Sequence, residues 1–296
     1  MSRKAIRRAV SYPLEAVVVG LAFALFGALP IDRASALGGW LGRMLGPRLP
    51  VTRVAERNLR RAFPDRSAAE IAAIVRAMWD NLGRVAGEFP HLGKVDVYAS
   101  DGRVEAVGAE HLDALRASGA SAIFFSAHLG NWEIASLCTS QKGMPLAFTY
   151  RAANNPFVER LVRRLRAPIA GAHYPKGRRL AAQLVAALRR GESLGMLVDL
   201  KLREGIPVPF FGRDAMTAPV VGQLALKFRC PLLPVRVERL AGARFRLTVY
   251  PPMELPSSGD RQADVAETMR RINALFEEWI RARPEQWLWI HHRWPD

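Results

Sequence analysis

The sequence predicts an α/β protein with a central mixed, mostly parallel sheet flanked by helices, preceded by an N-terminal hydrophobic membrane helix. Apolar runs of strand length alternate with amphipathic segments of helix length. The chain has 296 residues, 50% of them hydrophobic, so it can bury a sizeable core. An uncharged stretch lies near its start. We therefore divide the chain into an anchor over residues 1–35 and one large domain over residues 36–296.

The N-terminal apolar run is the first predicted element. Ala16 to Ile31 are 16 uncharged residues. As a helix they measure about 24 Å, slightly less than the roughly 30 Å hydrocarbon core. The segment therefore spans a thinned bilayer or lies embedded in it. A cleaved secretory signal is the alternative, but Arg33 interrupts the expected cleavage region. Basic residues on both sides favour a retained anchor on an anionic cytoplasmic surface.

The formal charge of +16 is unevenly distributed. Residues 1–66 hold 12 Lys and Arg against 4 Asp and Glu, and residues 151–203 hold 12 against 3. These basic segments suit anionic lipid, a phosphorylated substrate or an acidic carrier protein. Nucleic acid is not predicted, because no nucleic-acid-binding motif accompanies the charge. Cys138 and Cys230 lack metal-site spacing, so neither a metal nor a cofactor is predicted.

Helices are predicted before the first buried strand. Ser67 and Glu70 have the form of a capping box, and apolar residues follow at helical spacing as far as Val85. A helix over residues 111–118 then leads into the apolar run 122–125. That run is the length of a buried strand.

The motif after this strand carries the strongest chemical signal. His128 follows the strand end, and Glu133 lies five positions later, with Gly130 and Asn131 offering a turn and a helix N-cap. Five helical steps rotate by about 500°, so the side chains meet only across a bent strand-to-helix corner. There Glu133 would bind one imidazole nitrogen and leave the other to take a proton from a substrate hydroxyl. The competing interpretation is a surface histidine.

Two further strands bring polar residues to the same edge of the predicted sheet. The run 145–150 is followed by Arg151, and the run 194–198 is followed by Asp199 and Lys201. The carboxyl ends of parallel strands are where binding loops of α/β proteins cluster. Arg151, Asp199 and Lys201 are therefore candidates for substrate binding, although a surface ion pair explains Asp199 equally well.

A basic amphipathic helix is predicted after Pro156. Its apolar stripe suits the core, and its other side carries Arg160, Arg163, Arg164 and Arg166. A run of arginines is usually a solvated face, but here it also suits phosphates or a membrane surface. We name Arg163 and Arg164 as candidate substrate-binding residues.

Residues 191–195 match the G-x-S-x-G elbow of serine hydrolases, with Ser193 as the nucleophile. That elbow requires a strand before the serine and a helix after it. Here a helix is predicted over residues 178–190 and a strand follows. Gly191 is therefore interpreted as a helix C-cap. A membrane-associated serine lipase or esterase is the alternative enzyme.

The C-terminal third continues the alternation of helices and strands. A helix is predicted over 217–228, strands over 231–237 and 244–250, and a last helix over 265–280. Phe210 and Phe211, in the segment between Glu204 and Gly212, are interpreted as a packed loop. The aromatic tail 287–294 either plugs the core or places indoles at a membrane interface.

Several motifs together resemble the bacterial lipid A biosynthesis acyltransferases, in an order and spacing that cover nearly the whole chain. The motifs are Ala-His-Leu-Gly-Asn-Trp-Glu at 127–133, Tyr150-Arg151 before Asn155-Pro156, Arg203-Glu204-Gly205 with Pro209-Phe210-Phe211-Gly212, and Gln286-Trp287-Leu288-Trp289 with Arg293-Trp294.

The resemblance implies a glycerolipid-acyltransferase-like fold. It also implies transfer of a fatty acyl chain from an acyl thioester, usually on acyl carrier protein, to a hydroxyl of a lipid A precursor at the cytoplasmic face of the inner membrane. His128 and Glu133 match the catalytic pair of that family, and Arg151 matches an arginine lining its site. Asp199 matches the aspartate of a motif that often reads Asp-Gln. Leu200 replaces that glutamine, which bears on acceptor or chain-length identity.

The predicted mechanism needs no covalent enzyme intermediate and no metal. His128 acts as general base on the acceptor hydroxyl, and Glu133 orients it and stabilises the imidazolium. Arg151 or backbone N–H groups at the start of the helix after Gly130 would stabilise the oxyanion, and the sequence leaves both open. A non-catalytic lipid-binding protein, in which His128 and Glu133 are only structural, is the alternative outside the enzymes.

Overall fold

The computed structural model describes residues 3–177 and 179–294. The strands are β1 Val104–Val107, β2 Ile123–Ser126, β3 Leu146–Tyr150, β4 His173–Pro175, β5 Ser193–Leu197, β6 Lys201–Phe210, β7 Arg213–Thr217, β8 Leu232–Ala241 and β9 Arg244–Val249. The helices are α1 Arg3–Ala28, α2 Ile31–Leu45, α3 Thr52–Ala62, α4 Ala68–Glu88, α5 Ala109–Ser118, α6 Glu133–Gln141, α7 Pro156–Leu165, α8 Leu180–Arg189, α9 Val220–Phe228 and α10 Arg261–Ala282.

Seven strands form the central sheet, in the order β1-β9-β8-β2-β5-β3-β4. All neighbouring pairs are parallel except β8 and β9, which are antiparallel. Strands β6 and β7 form a separate antiparallel hairpin. The predicted fold class, a mixed and mostly parallel sheet flanked by helices, is therefore confirmed.

Both faces of the sheet are buried, as the continuous apolar runs predict. Along β2, Phe125 belongs to one apolar cluster and Phe124 to the other, because successive side chains point to opposite faces. One cluster includes residues of α4, α9 and α10. The other includes residues of α5 and α6. Strand β2 thus lies in the middle of the sheet, with an apolar cluster on each face.

The capping box predicted at the start of α4 is confirmed: Ser67 and Glu70 exchange hydrogen bonds between side chain and backbone. Helix α2 packs closely on α4 through glycines, and a Cβ atom on Gly38 would lie 2.2 Å from the carbonyl oxygen of Gly83. Helix α2 spans residue 35, so the predicted domain boundary falls inside a helix that is packed on the rest of the protein. The division into two domains stays a prediction.

Two other expectations change. Phe210 and Phe211 were interpreted as a packed loop, but Phe210 ends strand β6, which pairs with β7, and Phe211 lies in the turn between the two strands. The aromatic tail is part of the core: Trp287, Trp289 and Trp294 are each at most 2% exposed. The first residue of the helix predicted over 178–190 lies outside the described residues, and α8 covers most of the remainder.

Candidate active site

A cavity of about 660 Å³ opens at the carboxyl ends of β2, β3 and β5, where the sequence placed the site. Its buried wall is apolar and its exposed rim is basic, so it suits a ligand with a long apolar part and an anionic part. The buried apolar lining includes Phe124, Phe125, Leu146, Ile169, Met196 and Val235. The rim includes the exposed Arg151, Lys176 and Arg203 and the half-buried Lys201.

His128 lies in this cavity and is held by Asp199. The Nδ1 atom of His128 is 2.8 Å from Asp199 Oδ1, and the backbone N–H of His128 donates to Asp199 Oδ2 at 3.0 Å. The side chain of Asp199 is fully buried, while that of His128 is 17% exposed. The carboxylate therefore fixes the ring with a proton on Nδ1 and leaves Nε2 as an acceptor.

Asp199 is kept ionised in spite of its burial. Desolvation opposes the charged form, but His128 and the hydrogen bonds from His128 and Trp287 outweigh it and lower the pKa of Asp199 to about 2. The indole Nε1 of Trp287 donates to Asp199 Oδ2 at 2.8 Å. At neutral pH the site thus holds a fixed negative charge behind the imidazole, which stabilises the imidazolium when Nε2 takes a proton.

Glu133 is not placed as predicted. We expected it to bind the imidazole of His128, but the structure gives that contact to Asp199 and pairs Glu133 with Arg166. Arg166 donates from Nε to Glu133 Oε2 at 2.9 Å and from Nη2 to Oε1 at 2.5 Å. The predicted bent corner does exist, with Gly130 at φ 58°. A requirement for Glu133 in catalysis stays a prediction.

The difference has a geometric cause. Glu133 is the first residue of α6 and is 6% exposed, so its charge needs a partner inside the cavity wall. Arg166, just after α7, supplies that partner as a bidentate guanidinium. Glu133 thus joins α6 to the end of α7, and both residues still line the cavity with His128.

A buried polar network holds the loop between His128 and α6. Asn81 donates to the carbonyl oxygen of Gly130 at 3.0 Å, and Asn131 donates to Glu88 Oε2 at 2.8 Å. Glu88 is 2% exposed and forms a bidentate ion pair with Arg239. The loop therefore rests on fixed charges and amides rather than on apolar contacts alone.

The other predicted residues divide into two groups. Arg151, Lys201 and Leu200 line the cavity as expected. Arg163 and Arg164 lie on the exposed side of α7 and do not line the cavity. Their predicted role in substrate binding is untested.

Ser193 does not have the setting of a hydrolase nucleophile. It is the first residue of β5, preceded by α8 and by Gly191 at φ 81°, which is the reverse of the order that the elbow requires. Its Oγ atom accepts a hydrogen bond from the backbone N–H of Ala122 at 3.0 Å. The geometry therefore favours the interpretation of Gly191 as a helix cap over a serine hydrolase.

Sequence reasoning missed three residues as parts of the site. Arg166 was assigned to a basic face, Trp287 to the aromatic tail, and His291 was given no role. They come from two distant segments, and His291 lines the cavity together with His128. The only sequence feature that linked the tail to the site was its presence among the four motifs of the family resemblance. Those motifs do not predict which residues contact each other.

Comparison with known proteins identifies the family of the chain. A family described as bacterial lipid A biosynthesis acyltransferase matches residues 2–296. A lipid A biosynthesis acyltransferase of Haemophilus influenzae is 24% identical over 282 residues, covering 92% of this chain and 85% of that protein. The lipid A biosynthesis palmitoleoyltransferase of Escherichia coli is 29% identical, covering 91% and 87%. The lipid A biosynthesis myristoyltransferase of Escherichia coli is 27% identical, covering 79% and 72%.

Proposed function

Because the chain belongs to the bacterial lipid A biosynthesis acyltransferase family and is an acyltransferase acting on lipid A, we propose a mechanism in which His128 is the general base and Asp199 its orienting partner. The observation that carries this proposal is the hydrogen bond of 2.8 Å between His128 Nδ1 and Asp199 Oδ1 in a cavity with an apolar interior. The acyl donor is an acyl thioester such as acyl-acyl carrier protein.

The reaction needs one proton acceptor and one site for negative charge. Nε2 of His128 takes the proton of the acceptor hydroxyl as its oxygen attacks the thioester carbonyl carbon. The Asp199 carboxylate stabilises the imidazolium that forms. The carbon–sulfur bond then breaks, and the imidazolium returns the proton to the departing thiolate. No covalent bond to the enzyme forms in this sequence.

The shape and charge of the cavity support a fatty acyl donor. Buried apolar side chains of β2, β3 and β5 line its interior and suit a hydrocarbon chain. Arg151 and Lys176 lie exposed at its rim and suit an anionic headgroup or an acidic carrier protein. The ion pair of Glu133 and Arg166 forms part of the cavity wall and would keep its shape.

The N-terminal segments support attachment to a membrane. Residues 11–28 of α1 are long and apolar enough to cross a bilayer, and 6% of this window is buried in the protein. Helix α2 and the turn after it expose Trp40, Met44, Leu45 and Leu49. We place the catalytic domain on the cytoplasmic face of the inner membrane, with basic residues against anionic lipid.

The test is a transfer assay with purified protein. A labelled acyl group on acyl carrier protein or on coenzyme A is offered with a lipid A precursor in vesicles. His128→Ala should lower the rate by about 10²–10⁴-fold, because a positioned base contributes that much. Circular dichroism and thermal unfolding should match those of the parent. The two thioesters tested side by side identify the donor.

Ser193→Ala is the matched control. It removes a hydroxyl that the serine-hydrolase alternative requires and should leave transfer near the parent rate. Full activity in folded His128→Ala together with loss in Ser193→Ala would overturn the proposal in favour of the hydrolase. Mass spectrometry of lipid A from cells with and without the gene would give the chain length and the position of the acyl group.

A further inference from the structure

The C-terminal tail is fixed directly to the loop that carries His128. Leu129 pairs with Trp287 in an antiparallel bridge, and the backbone N–H of Leu288 donates to the carbonyl oxygen of His128 at 3.2 Å. Asn58 donates to the carbonyl oxygen of His291 at 2.6 Å. The backbone segments that carry His128 and His291 are therefore bonded to each other, which couples the position of the His291 side chain to that of His128.

The ring of His291 lies beside that of His128. Their centroids are 6.3 Å apart with an angle of 51° between the planes, and both rings line the cavity. Within residues 3–177 and 179–294 the imidazole nitrogens of His291 have no hydrogen-bond partner in the protein. Two nitrogens at this spacing can reach two oxygens bonded to one carbon, each over about 2.6–3.2 Å.

His291 is a neutral donor at the pH of the cell. Burial lowers the pKa of His291 to about 4, and the nearby charges of His128, Arg151 and Lys176 act in the same direction while Asp199 opposes them. A neutral imidazole carries one N–H donor and one acceptor nitrogen. Arg151 and Lys176, whose charges add to the effect of burial, also favour negative charge on a bound substrate.

Most backbone donors between His128 and the first turn of α6 are already engaged. The N–H groups of residues 128–130 bind Asp199, Ala127 and Gln286. Those of residues 133–135 bind Asn131 or Trp132. These six groups are therefore not free to stabilise an oxyanion, and at the start of α6, within the described part of the chain, the N–H groups of Asn131 and Trp132 are the ones that remain. Arg151 lies exposed on the cavity rim and is less preorganised than a half-buried ring.

We propose that His291 is a second catalytic histidine, which donates a hydrogen bond from its neutral imidazole to the carbonyl oxygen of the acyl thioester. The inference rests on the proposed function, because it assigns a partner to the oxyanion of that reaction. When the acceptor oxygen bonds to the carbonyl carbon, the π electrons move onto the carbonyl oxygen, and the His291 N–H binds that charge. The charge returns as the carbon–sulfur bond breaks. His128 moves the proton and His291 moves none.

The experiment compares His291→Phe with His291→Gln in the same transfer assay, using lauroyl-acyl carrier protein and a lipid A precursor in vesicles. Phe keeps a ring of similar size but has no donor, whereas Gln keeps an N–H donor. His291→Phe should lower kcat by about 10²–10³-fold, as loss of one oxyanion donor does, with KM for the thioester within about threefold. His291→Gln should recover at least tenfold of that loss. His111→Phe, on α5 and outside the cavity lining, is the control.

The pH profile distinguishes a donor from a base. The rising limb of kcat reports the base, so it should keep its midpoint in His291→Gln and disappear only in His128 variants. Parent activity in His291→Phe, with His128→Ala inactive, would overturn this inference and leave the proposed function intact. A folded His128→Ala that is active would overturn the proposed function itself. If His291→Phe does not fold, His291→Gln is compared with a folded His291→Leu. A kcat at least tenfold higher in His291→Gln supports the donor role, and equal kcat values contradict it.

Discussion

Trp287 and Asp199, 88 positions apart in the chain, are joined by a hydrogen bond of 2.8 Å from the indole Nε1 to Oδ2. Asp199 in turn binds the Nδ1 atom of His128 through its other oxygen. Three segments of the chain therefore meet on one buried carboxylate. This carboxylate, rather than Glu133, sets the orientation of the imidazole.

Asp199→Asn and Glu133→Gln should therefore differ in their effects. An amide at position 199 keeps the shape but favours the wrong tautomer of His128, so kcat should fall by about 10²–10⁴-fold. Glu133→Gln leaves the tautomer intact and breaks the charge pair with Arg166, so it should act more on KM and stability than on kcat. Steady-state kinetics with a folding control by circular dichroism measure both. An equal loss of kcat in the two variants would contradict this assignment.

The sequence predicted the positions of these residues better than their contacts. His128, Arg151 and Asp199 were each expected at a strand end, because buried strands are short apolar runs and parallel strands end at the same edge. The partner of His128 was missed since Asp199 is 71 positions away, and pairing across a sheet depends on strand order. The short spacing between His128 and Glu133 predicted a hydrogen bond between them, whereas the structure forms it between His128 and Asp199.

The sequence also did not predict the packing of the aromatic tail 287–294 or the buried ion pair of Glu88 and Arg239. An aromatic tail is compatible with a core or a membrane interface, and only tertiary packing decides between them. Arg239 follows alternating apolar and charged residues on β8, a pattern typical of a half-exposed strand end. In the structure it is 6% exposed and neutralises Glu88. Nothing local in the sequence predicts that pair.

Arg239→Ala should destabilise the protein far more than Arg246→Ala. Arg239 and Glu88 are both buried, so removing one leaves an unpaired charge inside the protein, at a cost of about 3–5 kcal/mol. Arg246 on the neighbouring strand pairs with Glu105 at an exposed position, where solvent screens the pair and its contribution to stability is small. Urea unfolding of both variants measures the difference. Similar midpoints would mean that the buried pair adds nothing to stability.

Stability should depend on His291 at mildly acidic pH. The pKa of this residue is about 4 in the folded protein and near 6.5 when unfolded, so between these values the unfolded chain binds more protons. The stability that its neutral form contributes is complete above pH 6.5 and is lost as the pH falls toward 4. The groups that face it are His128, Asp199, Arg151 and Lys176.

The measurement is the free energy of unfolding of the parent and of His291→Gln at pH 4.5 and pH 7.5. The parent should lose more stability on acidification than the variant. His173, whose pKa is also lowered by burial, contributes to both proteins and cancels in the comparison. Parallel losses in parent and variant would show that His291 is not buried as a neutral group in solution.

Neutralising Arg163 and Arg164 should affect binding more than chemistry. Both lie on the exposed side of α7, outside the cavity lining, where guanidinium groups can hold phosphate. The double variant Arg163→Gln/Arg164→Gln should raise KM for a vesicle-presented phosphorylated acceptor and flatten its salt dependence, with kcat near that of the parent. Arg76→Gln, at an exposed position on α4, is the control. Unchanged kinetics at low and moderate salt would identify the two arginines as a solvated face.

The exposed apolar face of α2 should contact lipid directly. Trp40 is 50% and Leu45 58% exposed, while the opposite side of the helix is packed on α4. An interfacial Trp beside exposed basic residues such as Arg33 and Arg48 is typical of a helix lying at a membrane surface. Trp279, Trp287, Trp289 and Trp294 are each at most 2% exposed, so brominated lipid reaches them poorly.

Vesicles of phosphatidylglycerol and phosphatidylcholine with brominated acyl chains should therefore quench the parent more than Trp40→Phe. The difference between these two proteins isolates the signal of Trp40 even though α1 keeps both on the vesicles. Trp40→Gln/Leu45→Gln should also lower transfer to a vesicle-presented acceptor about tenfold, equivalent to about 1.4 kcal/mol of lost lipid contact, and leave transfer in detergent micelles unchanged. Leu240→Gln, which changes a leucine 43% exposed at the end of β8, should leave both assays unchanged. Equal quenching of the parent and Trp40→Phe would place the α2 face away from lipid.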